Sequence, residues 1–314
     1  MQIDIQIPNG TIPQQLEMFK RAEDLGYAGA GLPDHLERGD DCYTMLALAA
    51  GKTDRISLFP CVTNPLSRHP WVLANIAYTM GTVIPGRFRF VMGAGDSVPS
   101  HLGRPSAKVD EMRSAVTNIR RLLAGEDVSF RETPDQGITA DPLPNPPPLV
   151  VAAGGPRMIE LAGEVGDEAF LLTGFDERII AMAHRHFAIG AARSGRSLEG
   201  FKVSHYTVVR IENDRDAALE FGRSRLIGWL KSFFFKDSFK ELGIPAAALA
   251  DPDSIPTAEL DRLVDAFFLV GSIDEVSERI KEIGAAGKLD RMIVTLMTPT
   301  GWEYTATALA ERVL

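Results

Sequence analysis

Short β-rich runs alternate with helical segments along almost the whole chain, and this alternation limits the possible folds more than any other feature. The first run, Gln2 to Ile7, is followed by a break at Pro8-Asn9-Gly10 and a helical stretch from Ile12 to Leu25 with Leu16 and Phe19 on one face. Tyr27 to Leu32 is the second strand, with Met45 to Ala50 as its helix, and Ile56 to Cys61 is the third, with Trp71 to Val83. Arg87 to Met92 goes in the same way with Lys108 to Leu123, Leu149 to Ala153 with Arg157 to Val165, and Ala169 to Leu172 with Arg178 to Ala192. Val203 to Ile211 and Arg291 to Leu296 supply a seventh and an eighth strand. Parallel pairing needs a crossover between successive strands, and a helix is the usual one. Eight such units close a sheet on itself and remove both edges, so the expected fold is α/β, a (β/α)8 TIM barrel. An open doubly wound sheet is the rival, but its G-x-G-x-x-G turn after the first strand is replaced here by Pro8-Asn9-Gly10.

The 314 residues exceed the roughly 250 of a plain barrel. One domain spanning residues 1–314 accounts for them if two insertions, at about 124–148 and 222–270, are added to the barrel. The first contains Val128-Ser129-Phe130, Pro134-Asp135-Gln136-Gly137 and a proline cluster from Pro142 to Pro148, which reads as a small hairpin or lid on a rigid connector. The second holds Trp229, Phe233, Phe234 and Phe235 and reads as a helical insertion, either an active-site cover or packing at the core or a subunit contact.

With 33 basic against 42 acidic side chains, a net charge of −9 and no basic stripe, the chain is not built to bind nucleic acid. The start lacks the basic flank and apolar run of a signal peptide, and no stretch reaches the roughly 18 apolar residues of a membrane span. Two cysteines, Cys42 and Cys61, make neither a disulfide framework nor a four-ligand metal site, so no metal is expected and the reducing cytoplasm is the natural compartment.

In a barrel, function is read at the C-terminal ends of the strands. Those ends carry Pro33-Asp34-His35, Cys61-Val62-Thr63-Asn64-Pro65, Gly93-Ala94-Gly95-Asp96-Ser97, Gly154-Gly155-Pro156-Arg157 and Thr173-Gly174. The pair Asp34-His35 either caps a helix or brings a carboxylate and an imidazole to the mouth, where they orient a ligand and transfer protons near neutral pH. Gly93 and Gly95 permit close approach of a flat or anionic ligand, with Asp96 facing the same space. Gly154-Gly155-Pro156 opening a helix exposes free N–H groups at a positive dipole end, and Arg157 adds a charge; this suits phosphate. His184 and His186 lie two apart and diverge on a helix, and no G-x-S-x-G or Walker A run occurs. The pattern is that of a site for a planar, phosphate-bearing ligand with acid/base side groups.

The segments Gly31-Leu32-Pro33-Asp34-His35, Cys61-Val62-Thr63-Asn64-Pro65 through Arg68-His69-Pro70, Gly93-Ala94-Gly95-Asp96, Gly154-Gly155-Pro156-Arg157 and Val270-Gly271-Ser272, in this order over nearly the whole chain, resemble the bacterial luciferase-like monooxygenase superfamily. Within it the chain is most similar to the branch that uses the deazaflavin coenzyme F420, typified by methylenetetrahydromethanopterin reductase. The resemblance implies a barrel with the cofactor across its mouth and a non-prolyl cis peptide at Cys61-Val62 against the central ring. Thr63 and Asn64 would face the ring edge, Gly154, Gly155 and Arg157 the phosphate, and Asp34, His35 and Asp96 the hydride-transferring face. Arg68 either holds a cofactor phosphate or carboxylate or belongs with Pro70 to a structural turn. Relatives commonly dimerise, which implies a homodimer acting on a small-molecule substrate.

Two departures stand out. Several deazaflavin relatives place a glutamate on the first strand, where this chain has Gln6. The alcohol- and sugar-phosphate-oxidising branches carry a tryptophan shortly after the Asp-His pair; here Leu36-Glu37-Arg38-Gly39 follows, which disfavours those substrates. The implied activity is hydride transfer to or from C5 of F420; the alternative is a monooxygenase using FMN and oxygen, and a non-catalytic flavin carrier is the third reading.

Overall fold

A computed structural model describes residues 1–35, 39–130, 141–230, 235–297 and 301–314. In it the strands are β1 (Gln2–Gln6), β2 (Gly29–Leu32), β3 (Ser57–Pro60), β4 (Phe90–Met92), β5 (Leu149–Ala153), β6 (Glu168–Leu171), β7 (Lys202–Ile211), β8 (Phe268–Gly271) and β9 (Arg291–Leu296). Every pairing is parallel, in the order β3-β2-β1-β9-β7-β6-β5-β4, with β8 beside the far half of β7. Two isolated bridges, Leu58 to Phe88 and Thr63 to Met92, bring β3 and β4 together at the two ends of this path. The result is a barrel of eight parallel strands, as the alternation predicts. The strand β8 is additional to that expectation. Its Phe268-Leu269-Val270 continues the apolar run of the preceding helix, so nothing in the sequence marks where helix becomes strand.

The helices used below are α1 (Ile12–Asp24), α2 (Cys42–Ala50), α3 (Pro70–Val83), α4 (Ser97–His101), α5 (Val109–Leu123), α6 (Pro156–Val165), α7 (Glu177–Ser194), α8 (Arg215–Leu230), α9 (Lys236–Glu241), α10 (Ala246–Ala250) and α11 (Thr257–Phe267). Their starts follow local chemistry. Asp41 caps α2 by accepting from the Thr44 N–H, His69 Nδ1 caps α3 at Trp71, and prolines stand at the first positions of α3 and α6. Within the 222–270 stretch the described residues carry the end of α8, then α9, α10 and α11 before β8 begins, and aromatic side chains among them pack on one another. Trp229 stacks on Phe235 at 4.2 Å and meets Phe268 edge-on at 4.6 Å, while Phe239 lies 4.7 Å from Phe267. Phe233 and Phe234, and the turn expected at Pro134 to Gly137, lie outside the described residues.

Strand alternation sends Ile3, Ile5 and Ile7 outward to the helices and Asp4 and Gln6 into the barrel. The interior is layered. At the strand starts Arg89 donates to Glu168 at 2.6 Å and to Asp4 at 3.2 Å, and Arg291 donates to the other oxygen of Asp4. Burial raises the Asp4 pKa more than the two guanidinium groups lower it. A Cβ on Gly29 would sit 2.7 Å from Asp4 Oδ1, so that position has room only for glycine. Above the charged floor, Phe59, Val91, Val150, Phe170 and Ile293 fill the barrel, and above them lies the mouth.

On the outer face of β7, His205 is fully buried, its Nε2 3.2 Å from the Gly174 carbonyl oxygen, which it serves as donor in the neutral tautomer. Burial lowers its pKa to about 4. An unfolded histidine titrates near ~6.5, so between those values the unfolded chain holds a proton that the folded chain does not. Stability present at neutral pH is therefore lost as pH falls from about 6.5 toward 4, by a limit of roughly 3 kcal/mol. Thermal melts from pH 7 to pH 4.5 are expected to fall more steeply for the wild type than for His205→Gln; parallel curves would remove His205 from the account.

Candidate active site at the barrel mouth

The strand ends enclose a cavity of about 320 Å³. One wall comes from the β2, β3 and β4 ends: Asp34, His35, Cys61, Val62, Asn64, Gly95 and Asp96. The other comes from β1, β6 and β7: Gln6, Phe170, Leu172 and Tyr206. Thus seven of the sequence-derived candidates share one space. The Cys61–Val62 peptide is cis, at the bond the resemblance pointed to.

Asp34 is held on both sides. Its Oδ2 accepts from Thr63 Oγ1 at 2.7 Å and from Arg68 Nη1 at 2.6 Å, and the carboxylate is buried. Arg68 also donates to Asp41 at 2.7 Å and lies over the Tyr43 ring at 4.9 Å. Burial works against the charge on Arg68, but Asp34 and Asp41 outweigh it and hold its pKa above the ordinary value. Burial likewise raises Asp41, yet the Thr44 N–H and Arg68 bring it below its usual range. Arg68 is therefore a structural link between the β2 and β3 loops. Asn64 shapes the same loop: its Oδ1 accepts from the N–H groups of Leu66 and Ser67 at 3.0 and 2.9 Å, which leaves its amide NH₂ as the group it can offer the cavity. Asp96, by contrast, precedes α4 without capping it through its side chain, and it is among the residues that line the cavity.

The β4 end is where glycine is required. Gly95 has φ +79°, and a Cβ there would lie 2.6 Å from Pro99 Cγ and 3.1 Å from Asn64 Cβ. A Cβ on Gly93 would press on Val62 Cγ2 and the Ala152 Cβ, each at 3.2 Å. Thr63 and Gly93 thus support the wall from behind and do not line the cavity. Nor do Gly154, Gly155, Pro156 and Arg157: they stand at the neighbouring β5 end, where Gly155 precedes α6 and Pro156 begins it. The space beside Gly155 is open except for the Asp237 carboxylate of α9, 3.9 Å from where a Cβ would be.

Phe170, Leu172 and Tyr206 have no motif around them; apolar and aromatic residues inside a strand read as core. Ser97 and Val98, the first residues of α4, complete the lining. A larger groove of about 620 Å³ runs outside the β3 to α3 loop, between His69, Arg104, Glu111 and Phe130, but it is built from helix surfaces and not from strand ends. His184 and His186 have separate partners, the Lys288 carbonyl and Glu160, as their spacing predicts.

Residues 2–288 match the model of the luciferase-like monooxygenase family. The chain belongs to that family. Among relatives of this luciferase-like protein, the 5,10-methylenetetrahydromethanopterin reductase of Archaeoglobus fulgidus is 29% identical over 290 residues, 87% of each chain. The F420-dependent glucose-6-phosphate dehydrogenase of Beutenbergia cavernae is 32% identical over 65% of this chain and 66% of its own. The fold matches that of the coenzyme F420 dependent tetrahydromethanopterin reductase from Methanopyrus kandleri with a TM-score of 0.78, at 23% identity over 99% of this chain and 98% of that one.

Proposed function

We propose that this protein is an F420-dependent oxidoreductase that moves a hydride between the deazaflavin and a small organic substrate in the mouth cavity. The observation that carries the reading is the convergence of Asp34, His35, Cys61-Val62, Asn64, Gly95 and Asp96 on one cavity, in a chain whose relatives include F420-dependent enzymes. The residues fit a flat ligand: Val62 and Gly95 line the cavity on one side and Phe170, Leu172 and Tyr206 on the other, which gives apolar faces for a planar ring system.

When bound, F420 supplies a carbon centre that gives or takes a hydride and does not readily activate oxygen. The Asn64 amide is the hydrogen-bonding group for the ring edge, and the N–H groups at the start of α6, with Arg157, are those for the phosphate. Asp34 is a positioning residue, because Thr63 and Arg68 occupy its Oδ2. Proton handling falls to His35 and Asp96, which line the cavity and flank the substrate space. The missing tryptophan after His35 argues against sugar-phosphate and secondary-alcohol oxidation. Absorbance titration of the purified protein tests the cofactor: micromolar affinity for F420 with none for FMN is the expected result, and the reverse would make it a flavin monooxygenase instead.

A further inference from the structure

Gln6, at the end of β1 beside β2, lines the cavity and is joined there to two hydroxyl groups. Its Oε1 accepts from Thr295 Oγ1 and, at 3.4 Å, from the Tyr206 hydroxyl. Two donors use both lone pairs of an amide oxygen, so the amide is fixed with its nitrogen turned the other way. One Nε2 hydrogen points to the Cys61 sulfur at 3.7 Å, a weak acceptor, and the second is left for the cavity that Gln6 lines. Burial pushes the Cys61 thiol up to about 12 and also raises the Tyr206 phenol, so both stay neutral around pH 7 and the arrangement does not change with protonation. Gln6 therefore presents a neutral N–H donor to the cavity, its own acceptor oxygen being taken.

We propose that Gln6 is the substrate-orienting residue of this site, giving an N–H to an accepting oxygen of the substrate. Tyr206 is the positioning residue that holds the Gln6 amide in that orientation. The assignment rests on the oxidoreductase reading of the cavity. A carbonyl oxygen accepts that N–H, whereas an apolar group of the same shape leaves it unpaired.

The probes are cyclohexanone and methylenecyclohexane, which share a shape and differ in the oxygen. Ligand-observed NMR is run on the wild type, Gln6→Leu, Gln6→Glu and Tyr206→Phe, and the infrared C=O stretch of bound cyclohexanone is recorded on each. The wild type is expected to bind the ketone about tenfold more tightly than the alkene and to lower its C=O stretch. Gln6→Leu and Gln6→Glu should remove both the preference and the shift, while Tyr206→Phe, which keeps the ring and only frees the amide to turn, should weaken both. Equal binding of the two probes, no ketone binding at all, or an unchanged shift in a folded Gln6→Leu variant would overturn the assignment. F420 titrations of the same four proteins separate the two levels. Loss of F420 binding in the wild type would count against the oxidoreductase reading, whereas intact F420 binding with no ketone preference would count against Gln6 alone.

Discussion

Asp34→Ala is expected to remove most turnover with F420 and to cost about 3 kcal/mol of stability, because truncating one member of a buried ion pair leaves the other uncompensated. The pair is close and dry: Arg68 Nη1 is 2.6 Å from Asp34 Oδ2, with side-chain exposures of 14% and 3%. Without Asp34, the Thr63 hydroxyl loses its acceptor, and Arg68 keeps only the partly exposed Asp41. The β2 and β3 loops that form one wall of the cavity are then tied together only through Asp41. The double variant Asp34→Asn with Arg68→Met removes both charges and should recover much of the stability but little of the activity. Thermal melts with steady-state kinetics check this; an active and stable Asp34→Ala protein would show that the link does nothing for the site.

Gly190→Ala is expected to destabilise the fold by about 3 kcal/mol, near the upper end for overpacking, and to lower the melting temperature by roughly 4–5 °C. Helices α6 and α7 touch backbone to backbone. A Cβ on Gly190 would lie 1.8 Å from the Glu160 carbonyl oxygen, and one on Gly163 2.2 Å from that of Phe187. A carbonyl in a helix cannot swing away, so the helices must separate and break the pairs that Glu160 makes with His186 and Arg193. Because α6 begins at the β5 end, the same variant should also weaken cofactor binding. Gly228, in α8, has nothing within 4 Å of its Cβ position. There the same substitution should raise the melting temperature slightly, since alanine favours a helix over glycine by about 1 kcal/mol. Equal effects at the two positions would contradict the packing argument.

The eight barrel strands were legible because each is a short apolar run bounded by turn residues, and the motif-bearing loops were legible because polar residues after such a run need a reason. Residues that act from within a strand were not. Tyr206 sits in Val203 to Ile211 with no motif around it, and only the curvature of the barrel turns it toward Gln6. The charged floor of Asp4, Arg89, Glu168 and Arg291 comes from four strands and has no spacing code. Gly163 and Gly190 look like ordinary helical glycines until α6 and α7 are placed side by side. Arg68 shows the converse: its two sequence readings are separated only by Asp34 and Asp41, which claim the guanidinium.

The central claim is that the mouth cavity holds a deazaflavin and its substrate together. A crystal structure of the protein with F420 tests it most directly. The account predicts the ring system against Val62 and Gly95, with Gln6 and Tyr206 across the remaining space. Electron density for the ring in the outer groove beside His69 and Phe130, with the mouth left to solvent, would contradict it.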